Sequence, residues 1–247
     1  MVLLPSDLNE SHKKRIDTWT YAFTENSLVT KYFYQPWWNF CASLPPSWMS
    51  PNQLTLIGVV WMYAYSFMEA LYNPSMATPN SIPNWVFFVI SSFHFIGHTF
   101  DGIDGKVARK TGLSGPVGEI LDHGLDNLNH HCLSMAMVST LSMHVFDSPF
   151  MRFLFVFSLQ INVIALHSSK LVQGSLEFPY YVDASHLLVS IIYFCFGYYG
   201  LDACFSWTFF GLIGLRHIVI FVALISTNLS TLELFYKAAK FDSTVEI

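Results

Sequence analysis

Long stretches of this chain carry no charged side chain, among them those between Glu69 and Asp101, Asp126 and Asp147, Arg152 and Lys170, and Asp183 and Asp202. A helix that crosses a bilayer needs about 20 mainly apolar residues, and runs of this kind leave few other folds open. Charged residues make up 12% of the 247-residue chain and hydrophobic ones 53%, with a mean hydropathy of +0.41. Soluble domains carry about 25% charged residues. The shortage excludes a disordered chain and an ordinary water-soluble enzyme. The net charge of -5 comes with no polybasic surface, which argues against nucleic acid as a partner. Six spans are predicted, at about 53–72, 84–104, 118–145, 150–171, 184–200 and 211–232, the third to fifth being the most clearly bounded. The last contains Arg216 and His217, so its limits are loose. The expected fold is all-α: a polytopic membrane helix bundle with about six transmembrane helices and an N-terminal interfacial helix.

Charge bias orients this bundle. Lys13, Lys14 and Arg15 place the N-terminus in the cytoplasm, and six spans return Lys237 and Lys240 to that side. Lys106, Arg109, Lys110 and Lys170 fall there too, and Arg152 is the exception. No cleavable signal peptide is visible. Two glycosylation-type triplets, Asn9-Glu10-Ser11 and Asn228-Leu229-Ser230, would face the cytoplasm and are read as chance matches. Residues 1–50 are expected to form a cytoplasmic segment with the interfacial helix, 51–240 the membrane domain and 241–247 a tail. The aromatic density from Tyr34 to Trp48 suits either a helix in the headgroup layer or packing on the bundle. Pro51 suits a first helical turn. Cys41, Cys132, Cys195 and Cys204 lack metal or redox spacing and read as inert core thiols.

The chemistry is concentrated at the ends of spans two and three. Asp101 and Asp104 stand three apart, and Asp122 and Asp126 four apart, so each pair shares a helix face. Ionisable groups at membrane depth are costly and mark function. Four converging carboxylates need cations, and oxygen-only ligands select Mg²⁺ or Mn²⁺. Two such ions would clamp a diphosphate. Gly102, Gly105 and Gly118 remove side chains where a flat group could approach the backbone, and Ala108 lies on the same small face as Gly105. Arg109 offers a bidentate fork to phosphate. Lys106 and Lys110 are either weaker point charges or headgroup anchors.

The constellation reads D-x-x-D-G-x-x-A-R-x8-G-x3-D-x3-D, every position filled, from Asp101 to Asp126. It resembles the signature of the CDP-alcohol phosphotransferase family. Pro36-Trp37-Trp38-Asn39, the stretch from Trp48 to Thr55, and Ala108-Arg109-Lys110-Thr111 are similar to the eukaryotic choline- and ethanolaminephosphotransferases. Pro83-Asn84-Trp85-Val86 and Pro179-Tyr180-Tyr181-Val182-Asp183-Ala184-Ser185 look closer to the ethanolamine enzymes. The likeness runs from about Leu28 to Lys240.

The resemblance implies transfer of a phospho-alcohol from CDP-ethanolamine or CDP-choline to diacylglycerol or its alkyl-acyl analogue, with release of CMP. It implies two Mg²⁺ or Mn²⁺ ions, a homodimer, and a site facing the cytoplasm from the endoplasmic reticulum or Golgi membrane. Asp101, Asp104, Asp122 and Asp126 would hold the metals, Arg109 would grip the diphosphate, and Gly105, Ala108 and Gly118 would make room for cytidine. Asn52 would reach the nucleotide from the start of span one. A metal-bound carboxylate accepts protons poorly, whereas imidazole titrates near neutrality. His123, between the two aspartates, is therefore read as the base, with Glu119 one turn earlier as its orienter. Asp126 as base, or His123 as a packed residue beside the site, are the alternatives. His130 and His131 are read as structural, and His98 as near the site without a role.

Two departures accompany the resemblance. Members of that branch have about ten spans, which makes this chain a compact enzyme, a short isoform or an incomplete product. His167-Ser168-Ser169-Lys170 stands where the branch has His-Trp followed by Glu or Gln, which bears on alcohol or lipid preference. A membrane prenyltransferase would share the aspartates but has no need of Ala108-Arg109 and the spaced Gly118. A non-catalytic subunit that keeps the motif by descent is the third class. A transporter would need charges in a chain across the bilayer.

Overall fold

The computed structural model describes residues 11 and 14, 23–25, 27–76, 81–141, 148–173, 176–178, 182–209 and 213–240. Lys13, Arg15, Asn9, Glu10, Pro179 to Tyr181 and the tail 241–247, all used above, lie outside them. Helix α1 spans Gln35–Cys41, preceded by a π-helical turn at Thr30–Tyr34. Then come α2 (Pro51–Tyr72), α3 (Asn84–Thr111), α4 (Pro116–Leu141), α5 (Pro149–Gln173), α6 (Val182–Tyr199), α7 (Leu201–Ser206) and α8 (Leu215–Lys240). The strands among the described residues are two or three residues long. Phe23–Glu25 (β1) pairs in parallel with Leu176–Phe178 (β2), and Thr208–Phe209 (β3) pairs antiparallel with Ile213–Gly214 (β4). The chain is an all-α polytopic membrane bundle.

The six long helices fall on the six predicted windows, the last starting at Leu215 rather than 211. Windows long and apolar enough to cross a membrane lie in α2, α3, α5 (Pro149–Ser168) and α8 (His217–Tyr236). Among the described residues, α4 and α6 hold no such window. The first half of α4 holds Glu119, Asp122, His123 and Asp126, and α6 is only 18 residues long. Leu56, Val60 and Phe67 on α2, Phe153, Phe157 and Ile164 on α5, and Phe221, Ile225 and Leu229 on α8 are exposed. In water such a surface would drive aggregation, and in hydrocarbon it is the solvated face.

Local chemistry explains the element ends. Ser50 caps α2 in a reciprocal box with Gln53, and Pro51 opens the first turn. α2 and α3 approach closely because Gly58 and Gly97 face each other: a Cβ on Gly97 would lie 2.9 Å from Met62 Cγ and 3.2 Å from the Gly58 carbonyl. α3 stops at Gly112, whose φ of +69° admits the left-handed cap. Leu113 N–H then donates back to the Ala108 carbonyl at 3.0 Å. Pro116 restarts the helix as α4 after a short link, and both α3 and α4 pack on α2.

The main core joins Tyr65, Phe87, Ile90, Met137, Tyr193 and Ile220 from five helices. A second cluster packs Tyr34 and Trp38 onto Leu54, Ile103 and Val107, where α2 and α3 meet the chain leading into α1. α1 has two faces: Trp38 is buried while Trp37 and Phe40 are exposed. The packed reading of this segment holds for its Trp38 face. All four cysteines are free, and burial pushes the Cys41 thiol pKa up from its usual value.

Candidate active site

The packing of α3 and α4 on α2 brings the two aspartate pairs together. The Asp101 carboxyl lies close to that of Asp126, and the Asp104 carboxyl close to that of Asp122. Thr55, on the first turns of α2, donates its hydroxyl to Asp104. One oxygen of Asp122 is buried without a hydrogen-bond partner among the described residues. Ligand atoms of Asp122, His123 and Asp126 lie within 4.8 Å of one another. Four carboxyl groups close together, one with a stranded oxygen, form a donor set suited to hard divalent ions. The residues present fit the expected metal site.

His123 is buried beside this cluster. Its Nδ1 lies 3.8 Å from one oxygen each of Asp122 and Asp126, and its Nε2 lies 3.7 Å from Glu119 Oε1. Glu119 is therefore near enough to orient the ring, but it also pairs with Lys170 on α5. The His167 ring stands edge-on to His123, with centroids 5.4 Å apart. The segment that departs from the expected His-Trp pattern thus packs on the proposed base.

One cavity connects these groups. Asn52, Gly105, Ala108, Arg109 and Gly118 line its outer part together with the aspartates. A Cβ on Gly118 would come within 3.4 Å of Asn52 Oδ1, and one on Gly105 within 3.3 Å of the Arg109 guanidinium. Gly102 serves differently. A Cβ there would sit 2.1 Å from Trp38 Cε2, so the flat group it admits is the chain's own indole. Lys106 reaches Gln35 Oε1 at 2.6 Å and Asn39 Oδ1 at 2.9 Å, which ties α3 to α1. Lys110 and His131 are exposed and outside the cavity wall.

The inner part of the cavity was not anticipated. His94, His98 and His130 line it, joined by His186 and Asp183 from α6. Asp183 accepts from Thr30 Oγ1 at 2.6 Å and lies 3.3 Å from His98 Nε2. Burial first, then the nearby Asp183 carboxylate, raise the Tyr34 hydroxyl pKa above its usual range. Thr55, Lys170, Asp183 and His186 escaped sequence reasoning because each comes from a helix other than the two motif helices. Only Thr55 had a local signal, lying one turn after Asn52 on the same helix face.

Residues 48–180 match a family model described as CDP-alcohol phosphatidyltransferase. Ethanolaminephosphotransferase 1 of Homo sapiens is 28% identical over 195 residues, covering 77% of this chain and 49% of that protein. Choline/ethanolaminephosphotransferase 2 of Arabidopsis thaliana is 38% identical over 120 residues, 49% of this chain and 30% of its own. Choline/ethanolaminephosphotransferase 1 of Saccharomyces cerevisiae is 35% identical over 139 residues, 56% and 33% of the two chains. The chain spans at most about half the length of these relatives.

Proposed function

Given that the chain belongs to the CDP-alcohol phosphatidyltransferase family, we propose that it transfers phosphoethanolamine from CDP-ethanolamine to diacylglycerol or an alkyl-acyl analogue. The products are phosphatidylethanolamine and CMP. The observation that carries this reading is the meeting of Asp101, Asp104, Asp122 and Asp126 in one cavity with Arg109. The human relative is named for ethanolamine, while the plant and yeast ones are named for both alcohols, so choline is the second headgroup.

The four aspartates would hold two Mg²⁺ or Mn²⁺ ions, which when bound neutralise diphosphate charge. Arg109 grips the phosphates as a fork. Asn52, Gly105, Ala108 and Gly118 shape the nucleotide end. The acceptor hydroxyl oxygen attacks the β-phosphorus as the bond to the bridging oxygen breaks. CMP leaves with that electron pair, and His123 takes the hydroxyl proton. Glu119, held by Lys170, fixes the imidazole. Holding both reactants at one site supplies orientation. α1, with Trp37 and Phe40 outward, lies in the headgroup layer. The enzyme works as a homodimer in the endoplasmic reticulum or Golgi membrane, its site open to the cytoplasm.

The test is CMP release by the purified chain in diacylglycerol micelles with Mg²⁺ or Mn²⁺, from CDP-ethanolamine and separately from CDP-choline. CMP with the matching phospholipid supports the enzyme, and the ratio names the headgroup. No CMP from either, by folded protein with both metals tried, favours a non-catalytic form and sinks the reading.

A further inference from the structure

The imidazoles of the inner cavity are wired in one direction. The Ser190 hydroxyl donates its one proton to the His186 carbonyl, 3.2 Å away. Toward His94 Nδ1, at 2.8 Å, we assign the same oxygen as the acceptor, which puts the His94 proton on Nδ1. His94 Nε2 is consequently the acceptor for His186 Nδ1 at 3.2 Å. This fixes the neutral His186 tautomer with its lone pair on Nε2. That atom has no hydrogen-bond partner among the described residues, and His186 lines the cavity. The ring is held in place by stacking on His98, centroids 4.3 Å apart and planes 9° from parallel.

Two further polar atoms are stranded in the same wall. Trp38 Nε1 and Asn129 Oδ1 are buried without hydrogen bonds, with Trp38 6% and Asn129 9% exposed. With His186 they present one donor and two acceptors, and the Tyr65 hydroxyl is a further unpaired group; the Asp183 carboxylate is already met by Thr30 and His98. A buried polar group without a partner costs about 1–3 kcal/mol, so Trp38 Nε1 and Asn129 Oδ1, lining the cavity with His186, point to a ligand that answers them. That ligand is neutral and carries both a hydroxyl and carbonyl oxygens. The charged nucleotide belongs with the aspartates and Arg109. His98 and His130 stand three and four residues from Asp101 and Asp126 on the two antiparallel helices. At 1.5 Å per residue the imidazole layer lies about 5 Å deeper in the bilayer than the carboxylates.

We propose that the cavity wall between Gly102 and His186 is a staging site for the acceptor lipid: a glyceride hydroxyl donates to His186 Nε2, and an ester carbonyl accepts from Trp38 Nε1, which packs on Gly102, before the hydroxyl moves to the carboxylate cluster. His186 touches the substrate, and His94 and Ser190 position it. The proposal rests on the transferase reading for the identity of the lipid.

The test uses the full chain in nanodiscs with CDP-ethanolamine, Mn²⁺ and dioctanoylglycerol, comparing wild type with His186→Leu, His186→Gln and Ser190→Ala. His186→Leu raises the KM for dioctanoylglycerol on the order of tenfold, as expected for one lost hydrogen bond, and leaves the KM for CDP-ethanolamine in place. His186→Gln restores most of the acceptor KM, because its amide oxygen replaces Nε2. Ser190→Ala moves the acceptor KM the same way by less, and it carries the test if His186→Leu does not fold. An unchanged acceptor KM, or equal losses for both substrates, overturns the proposal. Should the wild type release no CMP from CDP-ethanolamine or CDP-choline with either metal, the transferase reading fails by itself, and binding of fluorescent dioctanoylglycerol then decides. Weaker binding by His186→Leu upholds the staging site, and equal binding overturns it.

Discussion

Asp122 carries the sharpest prediction at the scale of single residues. Its carboxyl meets that of Asp104, and its other oxygen has no partner among the described residues, so Asp122→Asn should abolish CMP release. Unchanged turnover would reject the metal assignment. His123→Ala removes the base and should lower kcat by about 10²–10⁴-fold. CDP-ethanolamine binding, measured by calorimetry, should persist; its loss with the fold intact would make His123 a nucleotide ligand. Gly102→Ala drives a methyl into the Trp38 indole and should cost about 1–3 kcal/mol of stability, seen as a lower Tm in detergent. A Tm equal to wild type would mean that the indole moves aside freely. The four aspartates were legible because their spacings lie within two helices and the helix period is known. Their partners were not: Thr55, Lys170 and Asp183 come from other elements, and packing between helices leaves no spacing to read.

The α3–α4 pair depends on how its helices stop and start. Gly112, at φ +69°, ends α3 one turn after Arg109. Gly112→Ala puts a Cβ into the left-handed region and should destabilise by about 1 kcal/mol, with the loss read from thermal unfolding followed by helix signal. If Tm does not fall, the cap is not what terminates α3. Element positions were readable from the sequence because charged and Gly/Pro residues bound the apolar runs. The roles of their halves were not. α4 reads as a charge-free run after Asp126, yet its first half is the polar wall of a cavity, and only the bundle reveals which half is which. The short strand pairs had no pattern long enough to notice.

For the whole molecule, ligand linkage is the natural observable. An ion bound by the folded bundle and not by the unfolded chain stabilises by about 2.7 kcal/mol at a hundred times its Kd. Mn²⁺ should therefore raise the Tm of the wild type and chelation lower it, while Asp122→Asn should flatten the response. An equal response in both proteins would place the ion elsewhere. The membrane character was legible from composition alone. The inner imidazole layer was not, because it joins α3, α4 and α6 across long stretches of chain. The α3–α4 pair has one more consequence, for how the protein is made. Its four carboxyl groups belong to two consecutive helices joined by a loop of a few residues. Each acidic helix alone would be costly to leave in lipid. Emerging from the ribosome behind α2, on which both pack, they gather their acids on one neighbour while α5 to α8 are still unsynthesised. The order of translation thus collects the costliest groups first, and the later helices complete the site around them with Lys170 and Asp183.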